Sequence, residues 1–152
     1  MQRFETRSEQ ETIELGRGIA AGLPKRAVVL LIGNLGAGKT TLAKGIISGL
    51  GAAAPEDVSS PTFTLIHDYG SAVHIDLYRL DRAEQVATLG LDDIFDREVI
   101  VLIEWGERFP ELMPWHRIEI RLSAPDEETR EIAITWVGDR WKDDSSHLVT
   151  NI

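Results

Sequence analysis

Six consecutive apolar residues, Ala27-Val28-Val29-Leu30-Leu31-Ile32, run straight into Gly33-Asn34-Leu35-Gly36-Ala37-Gly38-Lys39-Thr40-Thr41. No other feature of the chain limits its fold as much. A strand with no polar position has no face to give to water, so it belongs in a parallel sheet covered on both sides. The next stretch matches G-x-x-x-x-G-K-[ST] at every fixed position and opens a helix read over 39–50, stopped by Gly51. Glycines there let backbone N–H groups converge on phosphate oxygens with no Cβ in the way. The helix adds the positive end of its dipole. In such a loop Lys39, read as a surface donor outside the core, reaches the β- and γ-phosphates, and the Thr40 hydroxyl sits on Mg²⁺. Asn34, Leu35, Gly36, Ala37, Gly38 and Thr41 complete the candidate cradle.

Phosphate chemistry on this frame needs a second strand that offers a carboxylate to the metal or its waters. Val99-Ile100-Val101-Leu102-Ile103-Glu104 supplies it, because a glutamate ending a wholly apolar run is costly unless it faces a polar site. That position is often Asp in P-loop proteins, so Glu104 alone leaves the metal question open. Two strand-like runs, 62–69 and 73–78, flank Gly70-Ser71 as a hairpin; in the second, His74, Asp76 and Tyr78 share a face. Spacing alone divides Asp76 evenly between a solvated hairpin face and the site. For Ser59-Ser60-Pro61-Thr62 the bare residues favour a turn and strand start over a γ-phosphate switch. Trp105 beside Glu104 reads as core packing or as a wall of the site, with core favoured, and the four histidines lack metal-ligand spacing.

The remaining segments are simple. Ser8-Glu9-Gln10-Glu11 has capping-box form ahead of a helix ended by Gly22 and Pro24. Asp81 and Asp92 are read as caps of short helices, and 118–122 with 131–137 as a further hairpin. The tail from Gly138 is polar and expected to fray. These elements make an α/β, single-domain, three-layer P-loop NTPase fold, its mixed sheet having a parallel core and antiparallel hairpins. The 152 residues suit one domain, and a domain of this size buries roughly 70% of its unfolded surface. The absence of cysteine excludes disulfides and Cys-ligated zinc and fits a cytoplasmic location. No apolar run reaches the roughly 18 residues a bilayer span requires, so no membrane association is expected. A net charge of −9 with scattered Lys and Arg argues against direct, tight nucleic-acid binding and for protein partners.

Taken together and in order, GNLGAGKTTLAKG, SSPTFTL, HIDLYRL, LGLDDIF and LIEWGE resemble the TsaE (YjeE) family over about residues 8–137. That family is a small bacterial ATPase needed for the threonylcarbamoyladenosine modification at adenosine-37 of tRNA. The resemblance implies Mg-ATP as cofactor and the TsaD and TsaB proteins as partners, with this chain an accessory ATPase rather than the transferase. By the same resemblance Lys39 and Thr40 are the phosphate and magnesium groups, and Asp76 and Glu104 the metal and hydrolysis carboxylates. It puts Thr62 in a switch-like segment, gives Trp105 a site role, and places Glu9 with Thr129 or Arg130 near the adenine. Asn34 and Phe63 depart from its usual Asp and Tyr, and neither removes a required group. Two other readings stand beside it: a small-molecule kinase with the same loop, and an ATP-dependent assembly module that rarely turns over.

Overall fold

The structure is a computed structural model and describes residues 1–138; apart from Gly138, the expected fraying tail, with Trp141 and His147, lies outside them. Seven strands form one sheet. They are β1 (Gln2–Thr6), β2 (Ala27–Ile32), β3 (Ile66–Asp68), β4 (Ala72–Asp76), β5 (Ile100–Glu104), β6 (Arg117–Ser123) and β7 (Arg130–Val137), in the order β1-β7-β6-β2-β5-β4-β3. The central β6, β2, β5 and β4 are parallel, while β7, β1 and β3 extend the edges antiparallel.

Alternation along the inner strands divides the core in two. Val29 and Leu31 of β2 and Leu102 of β5 face α1 (Glu9–Ala21) and α2 (Lys39–Gly49). Val28, Leu30, Val73, Ile75 and Ile103 face the other way, onto α3 (Ala83–Ala87), α4 (Leu91–Phe95) and the segment with Phe109 and Met113. Both all-apolar runs are thus buried on two faces, as expected of parallel inner strands. Among the described residues, no helix is long and apolar enough to cross a membrane.

Several expectations are corrected. The run 62–69 is strand only at Ile66–Asp68; residues 62–64 are a turn, Leu65 N–H donates to Pro61 O at 2.6 Å, and Leu65 has φ 70°. A left-handed residue cannot continue a pleat, so the chain swings away from the sheet before β3 begins. The polar N-terminus holds a strand, β1, that the sequence did not announce; it pairs with β7 at the edge of the sheet and leaves Arg3 and Glu5 exposed on one face. Arg82 and Gly90, not Asp81 and Asp92, precede α3 and α4, and the Gln85 side chain accepts from the Asp81 and Arg82 N–H groups. At α1 the Ser8 hydroxyl accepts from Glu11 N–H as predicted, but Glu11 reaches back to Arg7 N–H, one residue earlier than a capping box requires.

Helices α1 and α2 approach at backbone contact. A Cβ on Gly16 would lie 2.7 Å from Leu42 O, and one on Gly45 would lie 2.9 Å from the Ile13 carbonyl carbon. Gly45→Ala gains about 1 kcal/mol of helix preference. Forcing a methyl against the backbone costs about 1–3 kcal/mol. Because the obstacle is backbone and cannot rotate away, a net loss of stability is expected in urea denaturation; an unchanged or raised midpoint would contradict this close packing. The contact matters for the site, since it brings the start of α1 beside the start of α2.

Candidate functional site

The parallel strands end together. In register, Asp76 of β4 pairs with Glu104 of β5, which pairs with Leu31 of β2, one residue before the chain enters the glycine-rich loop. Clefts form where parallel strands end at their carboxyl termini, and here that edge carries two carboxylates. The loop turns through Gly36 and Gly38, and Gly38, at φ 101° directly before α2, is held where a side chain would be strained.

Lys39 is buried, not a surface donor: as the first residue of α2 its side chain folds inward over the loop. Its Nζ donates to Gly33 O at 2.7 Å and stands 3.5 Å from the centre of the Trp105 ring. Burial holds the ammonium below its ordinary pKa, while Glu104, Glu107 and Asp76 pull it back up. Trp105, at φ 68°, packs on the core and also lines the cleft, so the two readings of it, core packing and wall, describe one position.

The two carboxylates are buried and hydrogen-bonded. Thr40 Oγ1 donates to Glu104 Oε2 at 3.2 Å, and His74 Nε2 donates to the same oxygen at 2.7 Å. Asp76 Oδ2 accepts from Thr62 Oγ1 at 2.8 Å, and Oδ1 accepts from Tyr78 N–H at 2.8 Å. Ser60 Oγ lies 2.7 Å from Thr62 Oγ1, so the turn carrying 60–62 is tied to β4 through its hydroxyls. The face of β4 bearing His74 and Asp76 is therefore not solvated: Asp76 is 3% exposed and His74 0%. β4 is an inner strand, with β3 outside it, and a hairpin reading of the sequence could not see that.

A cleft of about 350 Å³ runs over Lys39, Thr40, Thr62, Asp76, Glu104 and Trp105. It adjoins one of about 430 Å³ lined by Arg7, Ser8, Glu9, Thr12 and Glu127, and the two share Gly38, Thr41 and Arg130. Leu35 and Gly36 also line the first, while Asn34 and Thr129 line neither and Ala37 is part of the core. A hollow of about 570 Å³ lies on the outer face of β1, β7 and β6, among Arg3, Glu5, Arg121 and Glu131. It is larger, but its charged side chains sit on an open sheet face and no glycine-rich loop or helix start lines it, so the paired clefts are the candidate site.

Among the described residues no three His, Cys, Asp or Glu side chains form a metal cage. A P-loop magnesium does not need one, since a hydroxyl, a carboxylate and substrate phosphates serve. The donors gathered here, the Thr40 hydroxyl with Glu104 and Asp76, are hard oxygens and fit that ion. The sequence reading named Glu9 on the α1 side of the second cleft but missed Arg7 and Thr12 beside it, and it did not give a site role to His74, Tyr78 or Arg108. Arg108 stands 4.5 Å from the Trp105 ring centre and 5.2 Å from that of Tyr78, and donates to Tyr78 O at 2.7 Å. The alternation of 73–78 already put His74 beside Asp76; nothing local pointed to Arg108.

A glycine-rich loop between a buried strand and a helix start, facing carboxylates at the ends of neighbouring parallel strands, defines a P-loop protein of the nucleotide-binding class. A family model described as threonylcarbamoyl adenosine biosynthesis protein TsaE matches residues 6–132. The chain belongs to the TsaE family, which acts in the biosynthesis of tRNA threonylcarbamoyladenosine. It is 36% identical over 144 residues to the tRNA threonylcarbamoyladenosine biosynthesis protein TsaE of Bacillus subtilis, covering 92% of this chain and 89% of that one. It is 40% identical over 135 residues to the TsaE of a Nostoc species, covering 84% and 81%. The crystal structure of Bacillus subtilis YdiB superposes with a TM-score of 0.74 at 34% identity, over 92% of this chain and 88% of that one.

Proposed function

We propose that this chain binds Mg-ATP in the paired clefts and hydrolyses it slowly, in the cytoplasm, as an accessory to the TsaB and TsaD proteins in tRNA threonylcarbamoyladenosine formation. One observation carries the reading: the Thr40 hydroxyl is bonded to Glu104 at the mouth of the loop, with Asp76 next to it in register. That is the hydroxyl-and-carboxylate set a P-loop ATPase uses.

In this reading the loop backbone and Lys39 hold the phosphates, and Glu9, Thr41 and Arg130 line the end that takes the nucleoside. Thr40, with Asp76 and Glu104 near it, would hold Mg²⁺, and the ion would supply neutralisation of the charge that builds on the phosphates. Glu104 and Asp76 orient the attacking water, and Trp105 closes one wall against bulk solvent. Phosphate release should therefore require both ATP and Mg²⁺, and chelation should stop it. A folded chain that releases no phosphate alone or with TsaB and TsaD would defeat the ATPase reading and leave the assembly module. Phosphate found on an acceptor rather than free would make it a kinase.

Thr62 is the group by which nucleotide state reaches a partner. It sits on the turn at 62–65 and is bonded directly to Asp76. A loop held by contacts at the γ-phosphate end relaxes when that end changes, and a partner reading its shape is linked to hydrolysis. Thr62→Ala is expected to cut stimulation by the partner complex by about 5- to 100-fold, the range of ordinary site-to-site coupling. Nucleotide affinity should move far less, since Lys39 and the loop remain. Equal stimulation of the variant and the unmodified chain, with partner affinity the same in ATP and ADP, defeats the coupling.

A further inference from the structure

We infer that His74 is a positioning residue for Glu104: it holds the carboxylate from behind through a proton on Nε2. The inference rests on the ATPase reading above and assigns a role to a residue outside the cleft. His74 is wholly buried on β4, opposite Leu102, while Glu104 is 4% exposed at the end of β5. The 2.7 Å contact between Nε2 and Oε2 is direct.

Packing alone does not explain a histidine here. Its Nδ1 is buried and meets no hydrogen-bond partner among the described residues. An unpaired buried polar atom costs stability, so an apolar side chain of similar size would suit the core better if filling space were the task. What imidazole provides and an aliphatic side chain cannot is the bond to Glu104. The surroundings also choose the tautomer. The carboxylate oxygen accepts, so the proton belongs on Nε2, and Nδ1 faces no acceptor. With Oε2 held by His74 and Thr40 Oγ1 within 3.5 Å of both carboxylate oxygens, the carboxylate is fixed in orientation beside the start of α2. Partners of this kind, one step removed from a metal site, change activity by about 10- to 100-fold when removed.

Two variants and one spectrum test the inference. In His74→Leu, kcat for phosphate release from Mg-ATP should fall by about 10- to 100-fold with KM changed less than about threefold. In His74→Gln, whose amide N–H can occupy the place of Nε2–H, most of the lost kcat should return. In the unmodified, nucleotide-free protein, nitrogen NMR of ¹⁵N-labelled histidine should show a proton on His74 Nε2. Unchanged kcat in a folded His74→Leu protein overturns the inference, as does a folded His74→Gln protein as slow as His74→Leu. A spectrum with the proton on Nδ1 overturns it even if neither variant folds. Absence of phosphate release from the unmodified chain, alone and with its partners, counts instead against the ATPase reading, and the spectrum still decides the hydrogen bond.

Discussion

Lys39→Ala is expected to lower ATP turnover at least about 100-fold in a chain that remains folded. The size follows from what is removed. A single preorganised donor aimed at charge that grows during reaction is worth about 10²- to 10³-fold. Lys39 brings a full charge to the loop from a site sheltered by Trp105. Because Lys39 is buried, survival of the fold has to be argued. The substitution removes the bond to Gly33 O and the ring contact. It also removes a cation whose desolvation outweighs its attraction to Glu104, Glu107 and Asp76, as its lowered pKa records. The sign is clear: a base whose folded pKa lies below its unfolded value binds its proton less well when folded, so the charged form costs stability at neutral pH. That relief offsets the lost contacts, and the net change should stay within about 1–2 kcal/mol. Phosphate release and nucleotide affinity measure the first claim, and urea denaturation the second. Normal turnover in a folded Lys39→Ala protein would remove the loop from the site.

Glu104→Gln is expected to keep nucleotide binding within a few-fold and to slow hydrolysis by about 100-fold or more. The amide has the carboxylate's shape, so its oxygen can still accept from His74 and β5 should keep its end geometry. What it loses is the negative charge beside Thr40 and the ability to take a proton from water, and general-base contributions alone run to about 10²- to 10⁴-fold. Binding at equilibrium with Mg-ATP, set against single-turnover phosphate release, separates the two effects. If affinity collapses while the rate of bound nucleotide is unchanged, Glu104 is a binding group and the hydrolytic role passes to Asp76.

Much of this site can be read from local stretches of the chain. Residues 27–41 could be little else than a buried strand, a tight loop and a helix start, because burial on both faces and left-handed turns are demands a short segment expresses by itself. Glu104 was legible for a related reason: a charge at the end of five buried positions must answer to a polar site. The quoted motifs extended this to Asp76 and Thr62 by resemblance, where spacing alone left Asp76 undecided and counted against Thr62.

What the chain could not declare locally depends on which strand lies next to which. Whether β4 is an edge or an inner strand turns on β5 pairing with it from beyond two helices, and only that pairing buries His74 and Asp76. β1 reads as polar terminus because one of its faces meets water; its strand state is decided by the free edge of β7, more than a hundred residues away in sequence. The left-handed Leu65 breaks a run whose alternation favours a strand; its carbonyl accepts from Asp76 N–H, a contact with β4 that seats the turn at that strand's end and that no local pattern shows. Arg130 arrives at the loop from the β6–β7 hairpin, and Glu9, with Arg7 just ahead of it, from the start of a helix that can come so close only because Gly16 and Gly45 have no side chains. Local preference thus determined the phosphate loop and its flanking strand, since their conformation is a property of the residues in them. Contacts between distant segments decided which carboxylates face that loop and what holds them there, since hydrogen bonding and burial are properties of neighbours.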